Sequence, residues 1–192
     1  MKPLLIVCIL TALIFIVSCS DSPRDITLSD EYFPLQIGNK WYYQTTLGYN
    51  HTIEIIDTVR INGQLFFKTE GKYTRGRSTG HYTRYSDNKI YQKLGDREEY
   101  LFIDLSTPLD EPYSAYQAHM QTLVTRKASH ETIDLFGKNF RNVIESYHQL
   151  PEGDNYHSYY ARGIGLVALI WDNEDQNVTL RRAIIDGKTV FR

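Results

Sequence analysis

The chain has 192 residues, with 21 Lys and Arg against 23 Asp and Glu for a formal net charge of −2, and two cysteines. That length fits one domain with a sizeable core, and the balanced charge offers no basic field to recruit nucleic acid. Both cysteines, Cys8 and Cys19, fall near the start, so disulfides, thiolate metal sites and cysteine nucleophiles are excluded from the rest of the chain.

The start reads as a lipoprotein signal peptide over residues 1–18. Lys2 supplies a positive n-region, residues 4–17 an apolar h-region, and Ile16-Val17-Ser18-Cys19 approximates the box cut by lipoprotein signal peptidase. The apolar stretch is shorter than the roughly 20 residues that cross a bilayer core, and Ser18-Cys19-Ser20-Asp21 ends it with small and polar groups. Cys19 is therefore the expected lipidation site. Several acyl chains, each methylene worth roughly 0.8 kcal/mol, anchor a protein where a single chain would be marginal. Ser20, rather than aspartate, follows the cysteine, which favours the outer membrane, facing the periplasm or the cell surface. Cleavage leaves 174 residues and removes one lysine and no acid, moving the balance from −2 to −3. Residues 19–31, rich in Ser, Asp, Pro and Arg, form a flexible tether, and residues 32–192 a single β domain.

From Tyr32 onward the chain alternates apolar and polar residues with period two, and no stretch holds a 3.6-residue apolar stripe for three turns. Over residues 52–61, Ile53, Ile55, Val59 and Ile61 are expected on one face and Thr52, Glu54, Thr58 and Arg60 on the other, with Ile56 and Asp57 breaking the pattern. Asn62-Gly63 then suits the positive φ angles of a type I′ turn, and residues 65–73 return as the second hairpin strand. A second hairpin is predicted over 81–94 around Ser86-Asp87-Asn88, and a strand over 99–105. The prolines at 108 and 112 mark residues 108–118 as a loop with one helical turn. Residues 121–135 and 140–150 flank a turn at Phe136-Gly137-Lys138-Asn139, and strands over 156–162, 166–171, 178–185 and 189–191 complete the set. The expectation is an all-β antiparallel meander of about ten strands forming a curved half-barrel or barrel, a sandwich being the other way to hide the apolar face.

Three segments together resemble a known group. Tyr32-Phe33-Pro34-Leu35-Gln36-Ile37-Gly38-Asn39-Lys40-Trp41-Tyr42-Tyr43 opens the domain, Gly137-Lys138-Asn139-Phe140-Arg141-Asn142-Val143 marks a late hairpin, and Tyr159-Tyr160-Ala161-Arg162-Gly163-Ile164-Gly165-Leu166-Val167 lies near the end. Their order resembles that of a group of uncharacterised secreted proteins and lipoproteins of bacteria, with a Phe-Pro-Leu-x-x-Gly-x-x-Trp opening and a Tyr-Ala-x-Gly-x-Gly-Leu-Val ending. The resemblance implies a fold like the half-barrels of the periplasmic lipoprotein carrier and its outer-membrane receptor, and it implies no reaction, cofactor or partner. The residues themselves have structural explanations: Pro34 and Gly38 shape a turn, Trp41 and Tyr43 share a face to plug a barrel end, and Gly163 and Gly165 permit a bend or bulge.

No catalytic residue, metal site or cofactor is expected. His130-Glu131-Thr132-Ile133-Asp134 lacks the second histidine of a zinc-protease string and alternates like a strand. The histidines at 51, 81, 119, 130, 148 and 157 show no ligand spacing. There is no Gly-x-Ser-x-Gly elbow and no phosphate loop, and the acidic runs at 96–99 and 172–175 are turn-like. The fifteen tyrosines suit sheet packing, with sugar or peptide binding as the functional alternative. The leading expectation is a non-catalytic lipoprotein, held to the membrane by its N-terminal lipid, that binds a lipid or other hydrophobic ligand or a protein partner within the curved sheet. Trp41, Ile53, Ile55, Val59 and Ile61 are the expected lining. The alternative is a surface or periplasmic interaction lipoprotein that contacts protein or glycan and has no cavity.

Overall fold

A computed structural model describes residues 32–74, 78–117, 120–173 and 176–192. The leader, Cys19, the tether and His119 lie outside the described residues. Thirteen strands follow one another among the described residues: β1 (Lys40–Thr45), β2 (Asn50–Ile61), β3 (Gln64–Tyr73), β4 (Ser78–Ser86), β5 (Lys89–Lys93), β6 (Tyr100–Asp104), β7 (Pro112–Gln117), β8 (Met120–Leu135), β9 (Lys138–Gln149), β10 (Tyr156–Ala161), β11 (Gly165–Trp171), β12 (Val178–Ile185) and β13 (Lys188–Phe191). All pairings are antiparallel, and the ladder runs β6-β5-β4-β3-β2-β1-β12-β11-β10-β9-β8-β7. Because β1 pairs with both β2 and β12, the meander curls back on itself into a nearly closed barrel. The all-β meander read from the sequence is the fold.

Local chemistry sets the hairpins. Asn62 (φ 50°) and Gly63 (φ 80°) join β2 to β3 with both central residues left-handed, as a type I′ turn requires. Asp186 and Gly187 do the same between β12 and β13, with φ of 51° and 71°. Strand β13 occupies the edge of β12 that β11 leaves, since β11 pairs with β12 only at Ala168↔Thr179 and Leu169↔Val178.

Two strands depart from the sequence expectation. The loop expected over 108–118 gives way to a strand at residues 112–117: β7 starts at Pro112, where a missing N–H removes no ladder bond from an edge strand. Residues 40–45, which are not among the expected strands, form β1 and carry Trp41 and Tyr43 in the wall.

A correction of register matters more for function. The ladder between β2 and β3 pairs Ile55 with Thr69 and Asp57 with Lys68, leaving Ile56 as an extra bulged residue. A one-residue insertion moves every later side chain to the other face. Val59 and Ile61 therefore do not share the face of Ile53 and Ile55. Ile55 is fully buried, whereas Val59 is 37% exposed.

The barrel stays open along one seam. No ladder joins β6 to β7 among the described residues; side chains hold them together instead. The Asp104 N–H donates to Tyr113 Oη at 3.0 Å, Arg126 Nη1 donates to the Leu105 carbonyl at 2.9 Å, and the Tyr100 and Tyr116 rings face each other at 5.2 Å. Apolar packing falls into two clusters. The larger gathers Trp41, Tyr43, Ile55, Phe140, Val167 and Leu180, and the smaller Tyr32, Ile90, Ile103, Leu105, Ile144 and Tyr160.

Candidate functional site

Inside the barrel, lined mainly by β1 to β6 and completed by Tyr116, Tyr160 and Leu166, lies a cavity of about 320 Å³. The segment ahead of β1 lies against it, contributing Phe33, Pro34 and Leu35 to its lining. That segment is pinned by specific bonds: the Leu35 N–H donates to Tyr85 Oη at 2.9 Å, and Asn39 Nδ2 donates to the Pro34 carbonyl at 2.7 Å. The Phe33 ring packs on Tyr160 at 4.7 Å and edge-on to Phe102 at 6.5 Å.

Trp41, Ile53 and Ile55 line this cavity. Alternation places Trp41 opposite Ile53 in the β1–β2 ladder, and Tyr43 opposite His51 one step along the same face. Trp41 is fixed by its indole N–H, which donates to the Ile164 carbonyl at 2.5 Å, and Tyr43 Oη donates to the Leu166 carbonyl at 3.0 Å. Burial pushes the Tyr43 phenol well above its ordinary range, so it stays a neutral donor. Val59 and Ile61, expected in the same lining, are not there, because the Ile56 bulge turns them away. Ile61 instead borders a separate polar cleft of about 290 Å³, together with Phe66, Lys93 and residues 96–99.

Sequence reasoning missed the polar wall. Thr69 on β3, Thr83 on β4 and Gln92 on β5 face the cavity, as do Tyr100 and Tyr116 from the two strands at the seam. His51 and His81 also line it, the His51 ring stacked on Tyr73 at 4.1 Å and 8° and His81 opposite Thr69 in the β3–β4 ladder. His51 Nε2 is buried with no hydrogen-bond partner, and burial lowers the ring's pKa from 6.5 to about 4. The signal for His51 was present: it precedes Ile53 by two residues on one strand, so it shares that residue's face.

Two further polar groupings lie elsewhere. Across β8, β9 and β10, Glu145 holds His130 Nε2 at 2.6 Å and His157 Nδ1 at 2.8 Å, and accepts from Tyr159 Oη at 3.3 Å. Glu145 is on the opposite face of its strand from Ile144, which packs with the cavity-lining Tyr160. His130 thus pairs with Glu145 rather than with Asp134 of its own strand. Within the barrel, His148 Nε2 lies 2.7 Å from Ser158 Oγ, both residues fully buried. Among the described residues no set of three His, Cys, Asp or Glu side chains is placed to hold a metal ion.

Fold and cavity together define an up-and-down antiparallel barrel with a partly apolar interior chamber. Two solved structures are similar to it. One is a "putative exported protein with YmcC-like fold" from Bacteroides fragilis, at a TM-score of 0.49 and 13% identity, covering 80% of this chain and 98% of that one. The other is a "putative lipoprotein" from Parabacteroides distasonis, at a TM-score of 0.44 and 10% identity with the same coverages. No family model matches the chain, and no curated protein matches it.

Proposed function

We propose that this chain is a non-catalytic lipoprotein, anchored through Cys19 to the bacterial outer membrane, that holds a hydrophobic or amphipathic ligand inside its barrel. The supporting observation is the cavity: about 320 Å³ lined by Trp41, Ile53, Ile55, Phe33, Leu35 and Phe102, at the small end of the volumes that ligand pockets occupy. A protein that used its interior only as core would fill it, because an unfilled apolar volume forfeits dispersion contacts and transfer free energy. The alternative of a surface protein with a solid core and contacts made by tyrosines predicts a filled interior, and the chamber is what favours the binding reading over it.

The leader supports the anchoring: Lys2, the apolar residues 4–17 and the box ending at Cys19 specify lipidation. The test is native mass spectrometry of the full-length lipoprotein extracted gently from its own membrane, beside an Ile53→Phe variant whose larger ring occupies the chamber. The expected result is a bound mass of one chemical class, released on denaturation and reduced in the variant. A clean unliganded mass for the unaltered protein overturns the proposal.

A further inference from the structure

The cavity walls bear on the head group of the ligand as well as its body, and any choice of head group rests on the binding role proposed for the barrel. No Lys, Arg, Asp or Glu contributes to the lining. An ionised group drawn into such a chamber loses its hydration and meets no countercharge, a cost of several kcal/mol even after relaxation. The chamber is nevertheless not uniformly apolar. Leu35, Trp41, Ile53 and Ile55 form one wall, from the segment ahead of β1 and from β1 and β2, while Thr69, Thr83 and Gln92 form the wall on β3, β4 and β5. His51 and His81 also line it, and His51 Nε2 is buried away from the open volume. A ligand head that hydrogen-bonds the threonine and glutamine wall keeps those groups paired when water is displaced, so it is favoured over one that cannot.

We infer that the cavity takes an uncharged amphiphile, a short aliphatic chain bearing a neutral hydrogen-bonding head such as an alcohol, ester or amide, with the polar wall of Thr69, Thr83 and Gln92 as the contact for that head. Two observations converge on it: a lining without Lys, Arg, Asp or Glu, and an apolar wall beside a polar one. The volume limits the size. At roughly 30 Å³ for each water-sized group, 320 Å³ admits about ten non-hydrogen atoms. A carboxylate head could gain a countercharge only by protonating His51 or His81, and burial lowers the His51 pKa to about 4.

Trp41 supplies the readout, because its indole lines the cavity and is only 7% exposed. Bromine quenches indole fluorescence at contact, so a brominated probe dissolved in the surrounding bilayer leaves Trp41 unaffected. Full-length lipoprotein in phospholipid vesicles, carrying Trp171→Phe so that Trp41 is the single tryptophan, is titrated with 7-bromoheptanol and with 7-bromoheptanoate near pH 8 at matched aqueous activity. The expected result is saturable quenching by the alcohol with an affinity at least tenfold above that of the carboxylate. Gln92→Leu, which removes a polar group of the wall at similar volume, is expected to weaken the alcohol about fivefold while circular dichroism stays unchanged. Equal or tighter binding of the carboxylate overturns the neutral-head inference and leaves the binding role standing. An unchanged alcohol affinity in Gln92→Leu overturns the assignment of the head group to the polar wall. Absence of saturable quenching by either probe overturns the binding role itself, and the inference with it.

Discussion

Acid should unfold this protein earlier than its carboxylates alone would dictate, and His148 is the reason. The residue sits on β9 between Val124 and Tyr156, 1% exposed, with its ring stacked on Tyr156 at 4.4 Å and 5°. Its Nε2 lies 2.7 Å from Ser158 Oγ, and its Nδ1 is buried without a hydrogen-bond partner. Desolvation, followed by the nearby His157, lowers its pKa from 6.5 to about 3. In the unfolded chain the imidazole titrates near its ordinary value, so between those two values the unfolded state binds more protons than the native state. Above about pH 6.5 both states are neutral and His148 has no linkage effect; stability then falls as pH drops through the window. At 1.36 kcal/mol per pKa unit, the penalty reaches about 3 kcal/mol near pH 4 and about 5 kcal/mol once the pH is below 3. The assay is urea unfolding, followed by circular dichroism near pH 7 and near pH 4, of the wild type and of His148→Gln, which keeps a polar group near Ser158 and cannot titrate. Other titrating groups, His51 among them, are common to both proteins and cancel in the difference. The wild type should lose about 3 kcal/mol more than the variant between the two conditions. Parallel losses in the two proteins would refute the reasoning.

The same geometry sets the cost of substitutions at three places in the wall. Gly165 has φ of +100°, and a Cβ there would meet Trp41 Nε1 at 3.4 Å, while at Gly163 (φ +73°) a Cβ meets nothing within 4 Å. Gly165→Ala should therefore cost about 1–3 kcal/mol and shift Trp41 fluorescence, and Gly163→Ala should cost about 1 kcal/mol with the emission unchanged, both read in chemical melts. Asn39 is 1% exposed; its Nδ2 donates to the Pro34 carbonyl and its Oδ1 accepts from the Asp186 N–H at 2.9 Å. Asn39→Ala leaves both backbone groups unpaired and should lower stability by about 2–4 kcal/mol, with the lead-in segment becoming protease-sensitive before the barrel. The bulge at Ile56 predicts a sharp contrast along β2: Ile55→Ala should cost about 2–5 kcal/mol and Val59→Ala under about 1 kcal/mol. Equal costs at Ile55 and Val59 would mean that the two share a face after all.

The fold is legible where its signals are local and hidden where they are not. Alternation marks the strands, and Asn62-Gly63 marks a hairpin, because both reside within a few consecutive residues. Strand β1 escapes such reasoning because one of its two partners, β12, lies more than 130 residues away, and nothing near Trp41 announces that pairing. Strand β7 is hidden by its proline, whose penalty vanishes at the first residue of an edge strand. Periodicity locates Ile53 and Ile55 correctly with respect to Trp41 and misplaces Val59 and Ile61, because a single bulged residue inverts every assignment beyond it. The polar wall is illegible for a different reason: Thr69, Thr83 and Gln92 come from three strands and become neighbours only through the ladders that join β3, β4 and β5.

The three motifs of the opening, the late hairpin and the ending have a common physical purpose, and it is closure of the barrel. Trp41 of the first motif donates to the carbonyl of Ile164 in the third, Tyr43 donates to Leu166, and Gly165 lets the backbone approach the indole. Phe140 and Val143 of the second motif join the same apolar cluster as Trp41, Tyr159 and Ala161, and the Arg162 N–H donates to the Asn142 carbonyl at 3.1 Å. Segments 123 residues apart in sequence thus meet where β1 and β12 complete the ring. The polar lining of the chamber, Thr69, Thr83 and Gln92 with His51 and His81, lies outside the three motifs. The motifs therefore account for closure of the wall, and the proposed ligand class rests on polar groups they do not include.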